Sequence, residues 1–521
     1  MEMKTLKNLL SVTAVLLVFA LVLTFVTLLL QPKYMTDLEE GSFISQYYRE
    51  AGGHDVIFIG DCEVYANFSP MEMYRHRGIT AYVRGTSQQL IWQSYHILEE
   101  TLTYETPWAV VYNVNAMRYA EPVSEAYNRL TADRMRWSGS KVGLIRSGMM
   151  EEEDFLSYVF PILRYHSRFD KLTAEDVQYL FKVKDNTFNG YQMNTQIRPM
   201  ESLPTKRPLN DYQFGDICYE YLDKMRKLCE SKGVELILIK APSQYPYWYA
   251  EYDRQMEDYA REHDLAFYNF TESVDEIGLD FWVDTYDAGL HLNLTGATKM
   301  SRFFAEILSE NHDIPDHRDD EAVAPVYNAK LSLYDAAVAE AAANRQEVPD
   351  RPADYDSMFA PAEEPTVPAA TEPDAAPETP KTEDKTEVVV AGGAFAYTYR
   401  GVTLKPGEVF DGGKLPKPAA VSTIPSCAFS GTDNVYTYDT IEVVAYDEGQ
   451  GEHLYSIYLL DPNTPTDEGL MLGDSVEKMV QRYGEDYTQT GSEYAYYRGD
   501  TILIVLAPGN TINSIEIRMA G

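Results

Sequence analysis

Three short runs of consecutive apolar residues stand out in the first half of the chain. They lie at residues 54–60 (HDVIFIG), at residues 108–114 (WAVVYNV) and at residues 234–240 (VELILIK). Each run is continuously apolar rather than alternating, which is typical of a parallel strand that is buried on both faces. Helical patterns lie between the runs, at residues 88–102 and at Asp216–Lys232. Strands that alternate with helices predict a doubly wound α/β fold with a flavodoxin-like parallel sheet.

A much longer apolar segment lies near the N-terminus. Residues 9–30 contain no charge, proline or glycine, and about 20 such residues are enough to span a bilayer. Lys4 and Lys7 precede the segment and acidic residues follow it, so the positive-inside rule places residues 1–8 in the cytoplasm and the rest outside. A cleaved signal peptide would have a shorter apolar region and a small-residue cleavage site, which QPKYM does not offer. We therefore predict a retained signal-anchor and a single-pass membrane protein.

The remaining chain divides by composition. The α/β pattern covers residues 50–312 and is interrupted by residues 117–210, which form either a cap over an active site or a merely decorative helical insertion. Residues 313–350 read as a helical extension. Residues 351–386 are dense in Pro, Ala, Glu and Thr and predict a disordered linker, because they cannot bury enough apolar surface to fold. Short β-type runs around one helix (VEKMVQRYG) predict a small β-rich domain at residues 387–521.

Charge and cysteine content exclude several classes of function. The net charge of −37 argues against nucleic-acid binding, which depends on basic side chains. Cys218 and Cys229 fall about 16 Å apart on one predicted helix, too far for a disulfide. We interpret both, together with Cys427, as small buried residues. No spacing of His or Cys suggests a metal site and no glycine loop suggests a phosphate site, so we predict no cofactor.

Residues that could take part in catalysis follow the predicted strands. An open α/β sheet gathers such residues at its carboxyl edge, so we expect them to share one pocket. The first strand runs into Gly60-Asp61-Cys62, the second strand-end turn (RGTSQQ) contains Gly85, the third strand ends at Asn113 and Asn115, and the downstream segment DTYDAGLHLNLTGATKM contains Asp284, Asp287 and His291.

Together these segments resemble the conserved blocks of the SGNH/GDSL hydrolase superfamily. Gly60-Asp61-Cys62 matches the first block, Gly85 the second, Asn115 the third and the Asp287/His291 region the last. The run His291-Leu292-Asn293 is similar to the envelope-facing branch, whose members handle acyl groups on cell-wall polymers and exopolysaccharides. The resemblance spans roughly residues 50–312, although no single block is specific.

The resemblance implies a role for each residue. Cys62 would be the nucleophile, His291 its base, and Asp287 the orienting carboxylate, with Asp284 as the alternative. The N–H groups of Cys62 and Gly85 and the amide of Asn115, or alternatively of Asn113, would hold the oxyanion.

This chain departs from the family pattern at three points. Cys62 replaces the serine, Ala288 stands three residues before the histidine where an aspartate belongs, and Asn113 replaces a glycine. A thiol can replace the hydroxyl, but only as the thiolate, which a histidine favours and the flanking carboxylates of Asp61 and Glu63 oppose. An inactive site with Cys62 as a small buried residue is the alternative.

Three further residues are candidate substrate contacts. Lys240 ends an apolar strand at the predicted carboxyl edge, although a snorkelling lysine fits equally well. Arg164 and His166 could contact an anionic polymer, or could simply belong to an exposed polar face. Gly473-Asp474-Ser475 matches the GDSL pattern more literally than the site around Cys62 does, but its D-x-x-E spacing indicates a helix N-cap.

Two functions therefore remain open. The first is a membrane-anchored acyl esterase or O-acyltransferase that acts on a cell-envelope polysaccharide or acylated glycan, with a possible membrane acyl-transfer partner. The second is a catalytically inactive module that binds an envelope glycan or an assembly partner. An enzyme needs Cys62 and His291 within reach of each other, and a binding module does not.

Overall fold

The chain divides into two compact units, Met1–Pro199 with Gln213–Val348 and Met200–Tyr212 with Pro349–Gly521. The structure is a computed structural model. It describes residues 3–32, 41–50, 52–122, 124–150, 153–180, 187–201, 203–204, 206, 208–209, 211–343, 348–353, 355, 393–425, 432–447 and 451–520. Cys427 and almost all of the predicted linker at residues 351–386 lie outside the described residues, so those predictions stay untested.

The first unit is built on a five-stranded parallel sheet with the order β2-β1-β3-β4-β5. Its strands are β1 (Val56–Gly60), β2 (Ala81–Gly85), β3 (Ala109–Asn113), β4 (Glu235–Lys240) and β5 (Ala266–Asn269). Every residue of β1, β2 and β3 is buried, so the sheet is covered on both faces. This order is the flavodoxin-like one and confirms the predicted doubly wound fold.

Helices precede, connect and follow these strands. Up to β3 they are α1 (Met3–Leu30), α2 (Gly41–Glu50), α3 (Cys62–Asn67), α4 (Pro70–Arg77) and α5 (Ile91–Tyr104). Between β3 and β4 they are α6 (Glu125–Ala132), α7 (Gly139–Gly148), α8 (Phe155–Val159), α9 (Ile162–Tyr165), α10 (Ala174–Tyr179) and α11 (Asp216–Lys232). After β4 they are α12 (Ala250–Glu262), α13 (Val274–Ile277), α14 (Leu294–Asn311) and α15 (Ala324–Ala343). Helix α11 has the predicted bounds, and α5 begins at Ile91 because Gln93 accepts the N–H of Leu90 at 2.8 Å.

The N-terminal helix α1 contains a stretch, Leu10–Leu30, that is long and apolar enough to cross a membrane. Its side chains are largely exposed from Leu10 to Val22, whereas Leu30 is buried. A single-pass anchor and a signal sequence both fit this helix by length and composition. Retention of the helix in the mature protein, and its orientation, therefore stay predictions.

The insertion between β3 and β4 has two parts. Its helices α6–α10 pack on one another and on α1, α2 and α5. The extended residues 192–199 that follow lie against the loop before α14, where the backbone of Arg198 bonds to that of Thr285 and Ala288 at 3.0 and 3.2 Å. The helices touch the sheet edge through α6, where Thr131 bonds to Thr86, the residue after Gly85, at 2.7 Å. The extended part therefore borders the carboxyl edge more closely than most of the helical part does.

The second unit is β-rich and antiparallel, as the sequence predicts. Its strands are β6 (Tyr397–Tyr399), β7 (Val402–Leu404), β8 (Ala420–Pro425), β9 (Thr432–Thr437), β10 (Ile441–Asp447), β11 (Glu452–Leu459), β12 (Thr488–Thr490), β13 (Glu493–Arg498), β14 (Thr501–Leu506) and β15 (Ser514–Met519), with one helix, α16 (Val476–Tyr483). Strands β8–β15 form one sheet, and the β6-β7 hairpin and α16 share its apolar core. Ser475 caps α16 by accepting the N–H of Lys478. The GDSL-like triplet here is therefore a helix cap, although the capping side chain is Ser475 rather than Asp474.

Candidate active site

Cys62 lies at the carboxyl end of β1, as the first residue of α3. Asp61 caps this helix by accepting the N–H of Glu63 at 3.1 Å, which fixes the turn that presents Cys62. As a residue Cys62 is half-buried, whereas Cys218 and Cys229 are buried on α11. Among the described cysteines, Cys62 is therefore the one positioned to meet a substrate.

The loop before α14 brings Asp287 to His291. Nδ1 of His291 lies 2.6 Å from Oδ2 of Asp287, whose other oxygen accepts the His291 backbone N–H at 2.7 Å. A carboxylate four residues before the histidine can reach it because Ala288 and Gly289 both adopt positive φ angles, of 62° and 97°. Asp284, the alternative partner, instead bonds to Lys299 at 2.5 Å. The carboxylate that orients the imidazole is therefore Asp287.

Cys62 and His291 each affect the pKa of the other. Burial raises the pKa of Cys62 to about 11, His291 opposes this, and the carboxylates of Asp61 and Glu63 add to it. Burial alone would lower the pKa of His291, but Asp287 and Cys62 raise that pKa well above 6.5. Nε2 of His291 is buried and has no hydrogen bond of regular geometry with any described residue. The nitrogen opposite the Asp287 contact is thus the one left for proton transfer.

The histidine loop is held in place from three directions. Tyr286 stacks on the His291 ring, with centroids 5.6 Å apart. Oδ1 of Asn67, at the end of α3, accepts the N–H of Leu292 at 2.8 Å. The hydroxyl of Thr285 donates to the carbonyl of His291 at 2.7 Å and accepts the N–H of Gly289. The imidazole therefore sits on a backbone that has little freedom to shift.

Gly85 lies beside the turn that carries Cys62. It is in register with Gly60 of β1. A side chain at Gly85 would place its Cβ 2.4 Å from Cγ2 of Val64 and 2.9 Å from the carbonyl oxygen of Asp61. Glycine is therefore required here because the backbone of the nucleophile turn approaches so closely.

Asn113 and Asn115 converge on Asp61, and their amides differ in how fully they are used. Both amide hydrogens of Asn113 are engaged, by Asp61 at 3.1 Å and by Glu63 at 2.8 Å. The amide of Asn115 donates one hydrogen to Asp61 at 2.7 Å, and its oxygen is buried without a partner among the described residues. An Asn amide carries two hydrogens, so Asn115 retains one for a ligand. This favours Asn115 over the alternative Asn113 as an oxyanion donor.

Lys240 forms an ion pair that the sequence does not predict. Its ammonium lies 3.1 Å from both carboxylate oxygens of Glu63 and donates to the carbonyl of Ala241 at 2.9 Å. The side chains of Lys240 and Glu63 are almost wholly inaccessible to solvent. Burial raises the pKa of Glu63 and lowers the pKa of Lys240, and the opposite charge of each partner counteracts these shifts. Because the protein satisfies all three donors of Lys240, its predicted role as a substrate contact does not fit this position.

Arg164 and His166 do not join this site. Nε of Arg164 donates to Glu125 at 2.7 Å, and Nδ1 of His166 lies 3.0 Å from the carbonyl of Leu163. Both residues are exposed, in a part of the insertion that packs on α1. The hydrogen bonds described for these two residues are to other residues of the insertion and not to Cys62 or His291. Their predicted contact with the substrate therefore has no support in this geometry.

Two site residues escaped the sequence reasoning in different ways. The sequence identifies Glu63 only as a like charge beside Cys62. Lys240, which ends a buried strand at the same edge of the sheet, is a usable signal for an ion pair. Arg118 follows Asn115 by three residues and donates from Nε to the Asn115 carbonyl at 3.2 Å. Burial works to lower the pKa of Arg118, but Tyr119, Glu63 and other nearby groups raise it. No sequence motif predicts that the half-buried guanidinium of Arg118 lies close to the site.

No protein-family model and no curated protein matches this chain. Solved structures similar to it include a protein assigned as an acylhydrolase from Bacteroides fragilis, at 12% identity and a TM-score of 0.27, covering 51% of this chain and 95% of that one. They also include a GDSL-like lipase from Bacteroides thetaiotaomicron, at 12% identity and a TM-score of 0.24, covering 52% of this chain and all of that one. At these values the likeness carries no argument about activity, so the functional proposal rests on the site geometry.

Proposed function

We propose that this chain is a membrane-anchored member of the SGNH/GDSL superfamily that hydrolyses or transfers an acyl group through Cys62, His291 and Asp287. The observation that carries the proposal is the 2.6 Å contact between Asp287 and Nδ1 of His291, which leaves Nε2 as the ring nitrogen that could take a proton from Cys62. A carboxylate, an imidazole and a nucleophile in this sequence of contacts are what acyl transfer requires.

In the proposed reaction, Sγ of Cys62 attacks the acyl carbonyl while the thiol proton passes to Nε2 of His291. The N–H groups of Cys62 and Gly85 and the free amide hydrogen of Asn115 stabilise the resulting oxyanion. The ester C–O bond then breaks, and His291 gives its proton to the departing alkoxide, which leaves a thioester on Cys62. Water, or a sugar hydroxyl in the transferase version, attacks the thioester as His291 accepts its proton and returns it to the thiolate.

An envelope glycan is the substrate that we propose, and the loop after β4 supports it. This loop carries the partly exposed side chains of Tyr245, Tyr247 and Trp248. It borders the site, because the N–H of Gln244 donates to the carbonyl of Gly289 at 2.8 Å. The Trp248 ring centroid also lies 5.7 Å from Nζ of Lys240. Flat aromatic surfaces beside polar groups suit sugar rings, since they combine apolar area with a polar edge.

The decisive experiment follows the thioester on the full-length protein in detergent, with 4-nitrophenyl acetate as the acyl donor. Mass spectrometry of the digested protein should show an acetyl group on Cys62, and Cys62→Ala should abolish both this adduct and the release of nitrophenol. The matched control is Cys218→Ala, since Cys218 is buried on α11 away from the site. Activity that persists in Cys62→Ala would refute the proposal.

A second experiment tests the glycan. With an O-acetylated envelope polysaccharide as substrate, Trp248→Ala should raise KM by roughly threefold to tenfold. This factor corresponds to the binding free energy of one aromatic contact. The same variant should leave hydrolysis of 4-nitrophenyl acetate unchanged, because that ester is too small to reach the loop. An equal loss on both substrates would assign Trp248 to folding rather than to substrate binding.

One observation favours a catalytically inactive binding module as the second candidate. Burial raises the pKa of Cys62 to about 11 despite His291, and Asp61 and Glu63 add to that rise, so the thiolate is strongly disfavoured at neutral pH. A binding module predicts that the polysaccharide binds to wild type and to Cys62→Ala with the same affinity and that no acyl adduct forms.

A further inference from the structure

The insertion helices pack against the end of α1 at which that helix would leave the membrane. Residues 10–30 of α1 span about 31 Å, close to the roughly 30 Å of a bilayer core. Large side chains from Leu10 to Val22 are 55–69% exposed, whereas Leu30 is only 6% exposed. Helices α9 and α10 and the 3-10 turn His166–Asp170 between them contact α1. The insertion therefore covers α1 only near the outer membrane boundary.

Two arginines attach the insertion to this end of the helix. Nη1 of Arg168 donates to the carbonyl of Leu30 at 2.5 Å, and Nη2 of Arg134 donates to the carbonyl of Pro32 at 3.0 Å. Carbonyls at the end of a helix have no partner within the helix, and cations are favoured there. Arg168 is itself held by Asp176 of α10, at 3.4 Å. These contacts fix the level of α8–α10 relative to the membrane boundary.

At this level the insertion exposes large apolar side chains. They are Leu156, Phe160, Leu163, Phe169 and Val177, which are 46–73% exposed within 22 residues of chain. Trp137, which is 54% exposed, follows Arg134 by three residues, and tryptophan is typical of the membrane–water boundary. So many exposed large apolar side chains on one short stretch of chain indicate an interaction site.

We propose that residues 155–179 form a membrane-contact surface that inserts its apolar side chains into the outer leaflet of the bilayer that α1 spans. The proposal rests on the retained anchor, and not on the chemistry assigned to Cys62. The occupant is lipid rather than protein because the elements that carry these side chains contact α1, the predicted membrane anchor, and bond to its Leu30 end. Its driving force is apolar burial rather than attraction to anionic headgroups, because residues 155–179 carry three basic and three acidic side chains and no net positive charge. The surface would hold the α/β unit against the membrane at a fixed height.

The test uses the full chain in phosphatidylcholine liposomes that contain a phospholipid with a photoactivatable diazirine on its acyl chain. After irradiation, digestion and mass spectrometry, lipid adducts should appear in peptides from residues 10–30 and from residues 155–179. Peptides from α15 are the internal control, since Val326 and Leu333 are 54% and 69% exposed but lie on a different helix. Labelling of residues 155–179 should exceed that of α15 by about fivefold or more, because lipid contact depends on buried apolar area.

Variants sharpen the test. The triple variant Phe160→Glu, Leu163→Glu and Phe169→Glu should lose the labelling of residues 155–179 and keep that of α1, whereas Val326→Glu with Leu333→Glu should change neither. Circular dichroism melting should show that both variants remain folded, as expected for exposed positions. Equal labelling of residues 155–179 and α15 in the wild type would overturn the proposal. Absence of label from α1 would overturn the anchor and the proposal together, and Cys62→Ala, which should label like the wild type, separates both outcomes from the proposed activity.

Discussion

The two halves of the candidate site are built in different ways. On the strand side, Asp61, Glu63, Asn113 and Lys240 hold one another through side-chain contacts that include a buried ion pair. On the loop side, His291 is held by one carboxylate and by backbone hydrogen bonds. We therefore expect substitutions on the strand side to lower the stability of the fold. Substitutions on the loop side should lower the reaction rate and leave the fold largely intact.

The largest effect is expected from Lys240→Met, which leaves the buried carboxylate of Glu63 without its cation. We expect a loss of about 3–5 kcal/mol in the free energy of unfolding, measured by chemical denaturation. The double variant with Glu63→Gln should recover most of this loss, since no unpaired charge then remains. Lys227→Met is the control, because its pair with Asp223 is exposed and worth about 1 kcal/mol or less. A Lys240 variant as stable as the control would show that the strand side is not held by charge.

Asp287→Asn should have the next largest effect, on rate rather than on stability. Loss of the oriented imidazole should lower kcat/KM for an acyl ester by about 100-fold. The control is Asp284→Asn, which should retain most of the activity because Asp284 bonds to Lys299 instead of His291. Equal losses in the two variants would contradict the assignment of Asp287.

The same variant should move the pH profile of the reaction. Activity needs neutral His291, and Asp287 raises the pKa of His291 well above 6.5, so the activity of the wild type should rise with pH through a midpoint above 6.5. In Asp287→Asn the raising charge is gone and burial lowers that pKa, so the midpoint should fall. A midpoint that stays in place would mean that another group controls the profile.

A smaller effect is expected from Gly85→Ala, because the added Cβ would press on Val64 and on the backbone of Asp61. Overpacking of this kind costs about 1–3 kcal/mol, measurable as a lower midpoint of chemical denaturation. Gly139→Ala is the control, since a Cβ there would meet no atom within 4 Å. A Gly85 variant that is as stable as the control would mean that the nucleophile turn can move aside.

The smallest effect is expected from Ala288→Gly, and its direction is opposite. Ala288 has a φ of 62°, which is costly for a residue with a Cβ, so glycine should stabilise the fold by about 0.5–1 kcal/mol. Ala322→Gly, at an exposed position without a positive φ, should bring no gain. A loss of stability in Ala288→Gly would show that the loop depends on the alanine methyl group.

The sheet and the location of the site can be predicted from the sequence, because both follow from short-range patterns of apolar and polar residues. Continuous apolar runs mark β1, β3 and β4, and parallel strands gather their ends at one edge, which is why Asn115 contacts Asp61, the neighbour of Cys62. Strand β5 has only four residues, all half-buried, and lacks such a run. The pairing of Glu63 with Lys240 spans 177 positions and depends on how β1 and β4 are each aligned with β3, so the one local signal for it is a lysine at the end of a buried strand.

The histidine loop shows a second limit of sequence reasoning. An aspartate four residues before the histidine fits only if the chain turns through left-handed backbone. Gly289 allows such a turn and the sequence predicts it there, but alanine at position 288 does not indicate that a second residue adopts a positive φ. The contact of Arg198 with this loop is likewise unpredictable, because it comes from backbone groups of an insertion without regular structure at that point.

The contacts that Lys330 of α15 makes with the earlier part of the α/β unit have a consequence for biosynthesis. Lys330 of α15 pairs with Glu50 of α2 at 2.8 Å and with Asn189 at 2.7 Å, while the carbonyl of Asn189 accepts the N–H of Val83 on the outer edge of β2. The partners in the first pair are 280 residues apart. At about 5–20 residues per second, a ribosome needs roughly 14–56 s to deliver the second partner after the first. The edge of β2 is an open template for aggregation until Asn189 emerges, and Lys330 does not hold Asn189 there until α15 follows, so the nascent chain should depend on a chaperone over this interval.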